Sequence, residues 1–170
     1  MAKGKWAQGI VPRNFRWVIK DQIAVCERPG GYGENHRRVR RQEEILWIKQ
    51  QEFTCVISLI ASPHNLHNYD ERELPYQHRP YPSNEDPAPF TAELYGELSK
   101  LTAAGGKILV HQDELGDTMC GLMAGYLIWA ELVPSGPKAI SIAERLFERQ
   151  LGPEGRELVA QAVLLLNSRS

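Results

Sequence analysis

Two hydrophobic periods alternate along this chain, one of two residues and one of 3.6, and their order predicts the elements. Residues 14–20 and 22–27 read as two short strands about a turn at Asp21. The lead-in His36-Arg37-Arg38-Val39-Arg40-Arg41 then opens a helix whose apolar face carries Val39, Ile45, Leu46, Ile48 and Trp47, with Glu43 and Glu44 on the polar side. The run at 53–60 is β-rich and apolar enough for a central parallel strand. Residues 62–74 form a short irregular or helical segment, and 76–82 alternates like a half-exposed strand that Pro80 and Pro82 place at an edge. After a polar loop at 83–89, Phe90, Leu94, Leu98 and Leu101 mark a helix over 90–104, stopped by Gly105-Gly106.

The most strongly patterned stretch comes next: a buried strand at 107–111, a loop to Thr118 and an apolar run from Met119 to Val133. Pro134-Ser135-Gly136-Pro137 breaks the chain. Helices over 138–151 (Ile140, Ile142, Ala143, Leu146 and Phe147 inward) and from Pro153 to about Leu166 complete it. Strands alternating with helices, without an internal repeat, predict a single α/β domain over 14–170 behind a loose arm at 1–13. Its sheet is mainly parallel, with helices on both faces and a helical C-terminus.

Composition narrows the partners. The 170 residues carry a formal net charge of −1, which gives no general attraction to nucleic acid or to acidic membranes. Met1 to Trp17 is polar and basic, so no signal peptide is expected, and the run from Met119 to Val133 is too short for a bilayer and contains Glu131. Cys26, Cys55 and Cys120 lack metal-type spacing, so a reduced, cytoplasmic setting without disulfides is expected. The glycine-rich stretch Arg28-Pro29-Gly30-Gly31-Tyr32-Gly33 has neither a GKS/T ending nor GxGxxG spacing and reads as a flexible loop. The arginine run reads as a solvated helix start partly neutralised by the glutamates, with a modest hint of something acidic nearby.

A strand that empties into a helix N-terminus directs unpaired backbone N–H groups at one spot, the usual anion site of α/β proteins. Here that loop holds Gln112, Asp113, Glu114, Leu115, Gly116, Asp117 and Thr118. Three carboxylates repel an anion and can themselves occupy N–H groups, with Asp117 placed as N-cap of a helix starting at Thr118.

In this order the elements resemble those of the cysteine-dependent tyrosine and dual-specificity phosphatases, most closely the small atypical branch of bacteria, fungi and plants. The likeness runs from Asn14 to about Phe147. Asn14-Phe15-Arg16-Trp17-Val18 with Arg28-Pro29 resembles that branch's opening, 53–59 its central strand, Ile108-Leu109-Val110-His111 the strand before the signature, and 121–127 the helix after it. The family signature is His-Cys, five residues, Arg, then Ser or Thr. With His111 on the family's histidine, Gln112 takes the nucleophile position and Thr118 the arginine position. A one-residue shift puts Thr118 on the family's Ser/Thr but makes His111 the nucleophile and Asp117 the arginine, a worse register. The resemblance implies a general acid ahead of a proline, best matched by Asp86 before Pro87, with Glu85 second.

The family's reaction needs a thiolate that attacks phosphorus and an arginine that holds phosphate oxygens bidentately. Gln112 cannot ionise, and Thr118 offers a single hydroxyl. The expectation is therefore a phosphatase fold without phosphatase chemistry, with Asp86 a solvated loop acid and Cys120 a buried filler. No catalytic residue, metal or cofactor is assigned. The loop 112–118 is instead expected to recognise a protein or peptide segment, neutral or basic rather than phosphorylated. The alternative is a divergent hydrolase holding a divalent cation on His111, Asp113, Glu114 and Asp117, with His64, His67 and His78 as further candidates. The oligomeric state stays open.

Overall fold

A computed structural model describes residues 9–31, 38–63 and 65–169. Most of the predicted arm (1–8), the end of the glycine-rich stretch with the start of the arginine run (32–37), and His64 lie outside the described residues. The described chain is an α/β fold whose residues group into two compact units, Met1–Tyr81 with Leu101–Glu114, and Pro82–Lys100 with Leu115–Ser170.

The first unit is the sheet. Strands β1 (Arg16–Ile19) and β2 (Ile23–Glu27) form an antiparallel hairpin about Asp21, whose φ of 62° turns the chain. With β3 (Cys55–Ser58), β4 (Tyr76–His78) and β5 (Ile108–Gln112) they make five strands in the order β1-β2-β5-β3-β4. Every pairing except the hairpin is parallel, as expected. The late strand β5 lies in the centre, with Val110 opposite both Val25 and Ile57. Buried on both faces, β2, β3 and β5 read as unbroken apolar runs for that reason. At the outer end, Phe15 meets Trp17 and Trp47 edge-on at 5.4 and 5.0 Å, and the Lys107 ammonium lies over Trp17 and Phe53.

Helix α1 (Arg38–Gln50) buries Ile45 and Ile48 as the period predicts, but its polar and apolar positions trade places at two points. Val39, expected inward, is 66% exposed, whereas Glu44, expected outward, is 1% exposed. The Glu44 carboxylate accepts hydrogen bonds from the Gly30 N–H at 2.9 Å and from Arg40 Nε at 2.7 Å. A buried charge with both oxygens satisfied is tolerable. Arg41 is also buried and donates from Nε to Asn68 Oδ1 at 2.6 Å, on the short helix α2 (His67–Asp70). The arginine run is thus partly structural rather than a solvated face.

The second unit is helical: α3 (Ala88–Ala103), α4 (Asp117–Trp129), α5 (Gly136–Phe147) and α6 (Pro153–Arg169). Helix α4 is apolar all round and buried from Met119 to Trp129, as such a sequence requires. Helix α5 starts on a Ser135 cap that accepts the Lys138 N–H, and buries Ala139, Ala143 and Phe147. It ends earlier than predicted, because Glu148 adopts a left-handed φ of 52°. Helix α4 crosses α6 at two glycines: a Cβ on Gly121 would lie 2.5 Å from the Gly155 Cα. No described helix is long and apolar enough to cross a membrane.

Candidate functional site

The loop that follows β5 is where the sequence concentrates its unusual residues. His111 and Gln112 end β5 in parallel register with Cys26 and Glu27, and the Gln112 carbonyl accepts the Arg28 N–H at 2.7 Å. The expected pair of strand end and helix start is present, since α4 begins at Asp117 with Gly116 in the N-cap position.

The acids do not act as composition suggests. Asp113 lies 3.3 Å from Arg28 Nε, a partly exposed pair that neutralises it locally. Arg28 also donates to the Gly31 carbonyl, so the glycine-rich stretch from Arg28 to Gly31 is a defined turn (φ 83° and 74° at Gly30 and Gly31) that aims a cation at the loop. Glu114 is exposed. Asp117 is not the N-cap of α4 as expected: it is the helix's first residue, and no side chain caps that end. Its carboxylate instead accepts the Gly152 N–H at 2.6 Å and the Gly155 N–H at 2.9 Å, capping the start of α6 from a distance. Leu115, Gly116 and Thr118 are half-buried.

His111 is a core residue, 2% exposed and edge-on to Tyr69 at 6.0 Å. Burial, helped by the positive charge of Arg28 and by His78, pushes its pKa down to about 3, so it is neutral at pH 7. A histidine neutral at pH 7 and closed off from solvent is not placed to transfer protons. Cys120 is fully buried and its thiol is pushed up to about 12, mainly by burial, with Arg149 opposing, which fits a filler and not a nucleophile. Asp86 Oδ1 accepts the Ala88 N–H at 3.0 Å and Gln161 Nε2 at 3.3 Å, so the residue at the general-acid position serves the start of α3. Among the described residues, no three histidine, cysteine or carboxylate side chains come together as a metal site. Of the further metal candidates, His67 is exposed and His78 Nε2 shares a hydrogen bond with the Ile60 carbonyl at 2.7 Å.

Two residues have places near the loop that the sequence does not reveal. Arg28 follows β2 and meets Asp113 only because β2 and β5 are neighbours. Arg149, just past α5, holds its guanidinium 3.9 Å from where a Cβ on Gly116 would sit. Neither carries a local sequence signal, because each depends on strand order or helix crossing.

No family model and no curated protein matches this chain. Solved structures do. The kinase associated phosphatase, with its catalytic cysteine replaced by serine, superposes with a TM-score of 0.74 over 93% of this chain and 98% of its own, at 17% identity. The core catalytic domain of the PP-IP phosphatase Siw14 from S. cerevisiae gives 0.65 over 90% and 87%, at 14% identity. Human DUSP28 gives 0.66 over 94% and 99%, at 13% identity. The fold is that of the tyrosine and dual-specificity phosphatases.

Proposed function

We propose that this chain is a catalytically inactive protein on the tyrosine/dual-specificity phosphatase fold, acting as a binding or regulatory module through its 111–118 loop. The observation that carries the reading is the occupancy of that loop. Where the fold's phosphatases place a thiolate and a phosphate-clamping arginine, this chain has Gln112 and Thr118. Among the described residues no other side chain takes over. Cys120 is buried, His111 is neutral in the core, and Asp86 is spent on α3.

The expected occupant is a protein or peptide segment, hydrogen-bonded by Gln112 and Thr118 and met by the exposed Glu114. Because Asp113 is paired with Arg28 and Asp117 is turned to α6, the loop repels phosphate less than its three acids suggest. Arg149 lies near Gly116 within the helical unit. The preference for an unmodified, neutral or basic segment over a phosphorylated one is therefore modest. A reduced, cytoplasmic setting belongs to this reading and is supported by three buried cysteines that form no disulfide. The metal-assisted alternative gains no support from the described residues, because two of its four ligands are committed elsewhere: Asp113 to Arg28 and Asp117 to α6.

The test is hydrolysis of a generic aryl phosphate with and without Mg, Mn or Zn, beside calorimetry with matched peptides. The expected result is no turnover under any condition, and phosphotyrosine or phosphoserine peptides binding no more tightly than their unmodified forms. Metal-dependent turnover abolished by Asp113→Asn, or a phosphopeptide preference lost on Arg149→Ala, overturns the reading. Gln112→Cys with Thr118→Arg should restore little activity, because Asp113, Glu114 and Asp117 remain in the loop.

A further inference from the structure

On the α1 side of β5, reaching the signature histidine position at His111, the sheet unit holds a small cavity of about 10 Å³, lined by Arg28, Arg41, Ser58, Asn65, Tyr69 and His111 among others. It lies beyond the C-terminal ends of β2, β5 and β3, the place where parallel sheets gather polar groups around ligands. Three of its walls are polar side chains at least nine-tenths buried: Ser58 at 1%, Tyr69 at 2% and His111 at 2% exposure. Among the described residues, Ser58 Oγ, the Tyr69 hydroxyl and both ring nitrogens of His111 have no hydrogen-bond partner. Buried polar groups without partners are rare in native proteins, and four such atoms around one cavity point to a guest.

The walls decide what kind of guest. The lining contains two guanidinium groups, three hydroxyls (Ser58, Ser62 and Tyr69), the Asn65 amide and an imidazole, and no carboxylate. Tyr69 keeps its proton, since burial first, then Cys26 and Glu44, raise its pKa well above the usual value, so it donates. Neutral His111 donates from one nitrogen. The nearby Glu44 carboxylate is already held by Gly30 and Arg40. Donors thus dominate a space with room for about one small guest. We propose that this cavity binds a single monatomic anion, of the size of chloride, held by the Ser58 and Tyr69 hydroxyls and His111 under the field of Arg28 and Arg41. The site would tie β3, α2 and β5 together behind the loop, and it does not depend on whether the loop binds peptide.

The experiment is thermal unfolding of the full chain in sodium chloride, bromide or gluconate at equal ionic strength, since gluconate cannot enter. Chloride and bromide should raise the midpoint saturably, by about 3–6 °C at roughly ten times the dissociation constant. Ser58→Ala with Tyr69→Phe should abolish the halide dependence while leaving the midpoint in gluconate near that of the native chain. A crystal grown in bromide should show an anomalous peak in the cavity, a readout that stands even if the variant does not fold. Equal midpoints in all three salts, a halide dependence retained by the variant, or an ordered water at that position under saturating bromide overturns the proposal.

Discussion

At the scale of the residue, two side chains near the loop carry stability. Asp117 holds two backbone N–H groups at 2.6 and 2.9 Å, bonds to a charged acceptor that are the stronger kind. Asp117→Ala strands the Gly152 and Gly155 donors and should cost about 2–3 kcal/mol in urea unfolding. Asp117→Asn keeps one acceptor and should cost less. Equal losses would mean that the carboxylate is not the cap. His111 sets a pH dependence. Its folded pKa is about 3 against 6.5 for the free side chain, so the unfolded state binds one proton more between those values. Stability from this group is complete above pH 6.5 and falls as pH drops towards 3, by about 1.4 kcal/mol per pH unit. A His111→Asn variant should lose that slope, compared by urea unfolding at pH 6.5 and 4.5. An unchanged slope would show that His111 is not the titrating group.

At the scale of the element, glycines of the helical unit separate packing from propensity. Gly121 meets Gly155 backbone where α4 crosses α6, so a methyl there has nowhere to go. Gly121→Ala should destabilise by about 1–3 kcal/mol despite a propensity gain near 1 kcal/mol. Gly96, inside α3, would place a Cβ with nothing within 4 Å, so Gly96→Ala should stabilise by up to about 1 kcal/mol. Opposite signs in chemical denaturation are the check. These contacts mark the limit of what periodicity reveals. The mainly parallel sheet, the central β5 and the apolar α4 are legible in the sequence, because burial on both sides of an element leaves unbroken apolar runs. Glu44 and Val39 are not, since a carboxylate is drawn inward by the Gly30 N–H and Arg40, partners set by tertiary contact. The role of Asp117 is hidden for the same reason. A carboxylate at a helix start is ordinarily its own cap, and only the crossing of α4 with α6 redirects it.

At the scale of the whole molecule, the cysteines connect fold and function. Phosphatases of this fold depend on an accessible thiolate, and cysteine reactivity follows exposure and lowered pKa. In this chain Cys26 and Cys120 are fully buried and Cys55 is 7% exposed. Burial raises the Cys26 pKa well above the usual value, with Glu44 and Glu27 adding to it, and pushes Cys120 up to about 12. None of the three has the surroundings of a nucleophile. An aromatic disulfide reagent at neutral pH should therefore find no fast thiol in the native protein and three in denaturant. The native thiols should react only as the chain opens, at rates that rise with urea in step with unfolding. Asp117→Ala and Gly121→Ala should then speed labelling in proportion to the stability they remove, because both loosen the packing around Cys120. A single thiol reacting within seconds in the native state would be the one result that returns a candidate nucleophile to this chain, and mass mapping would name it.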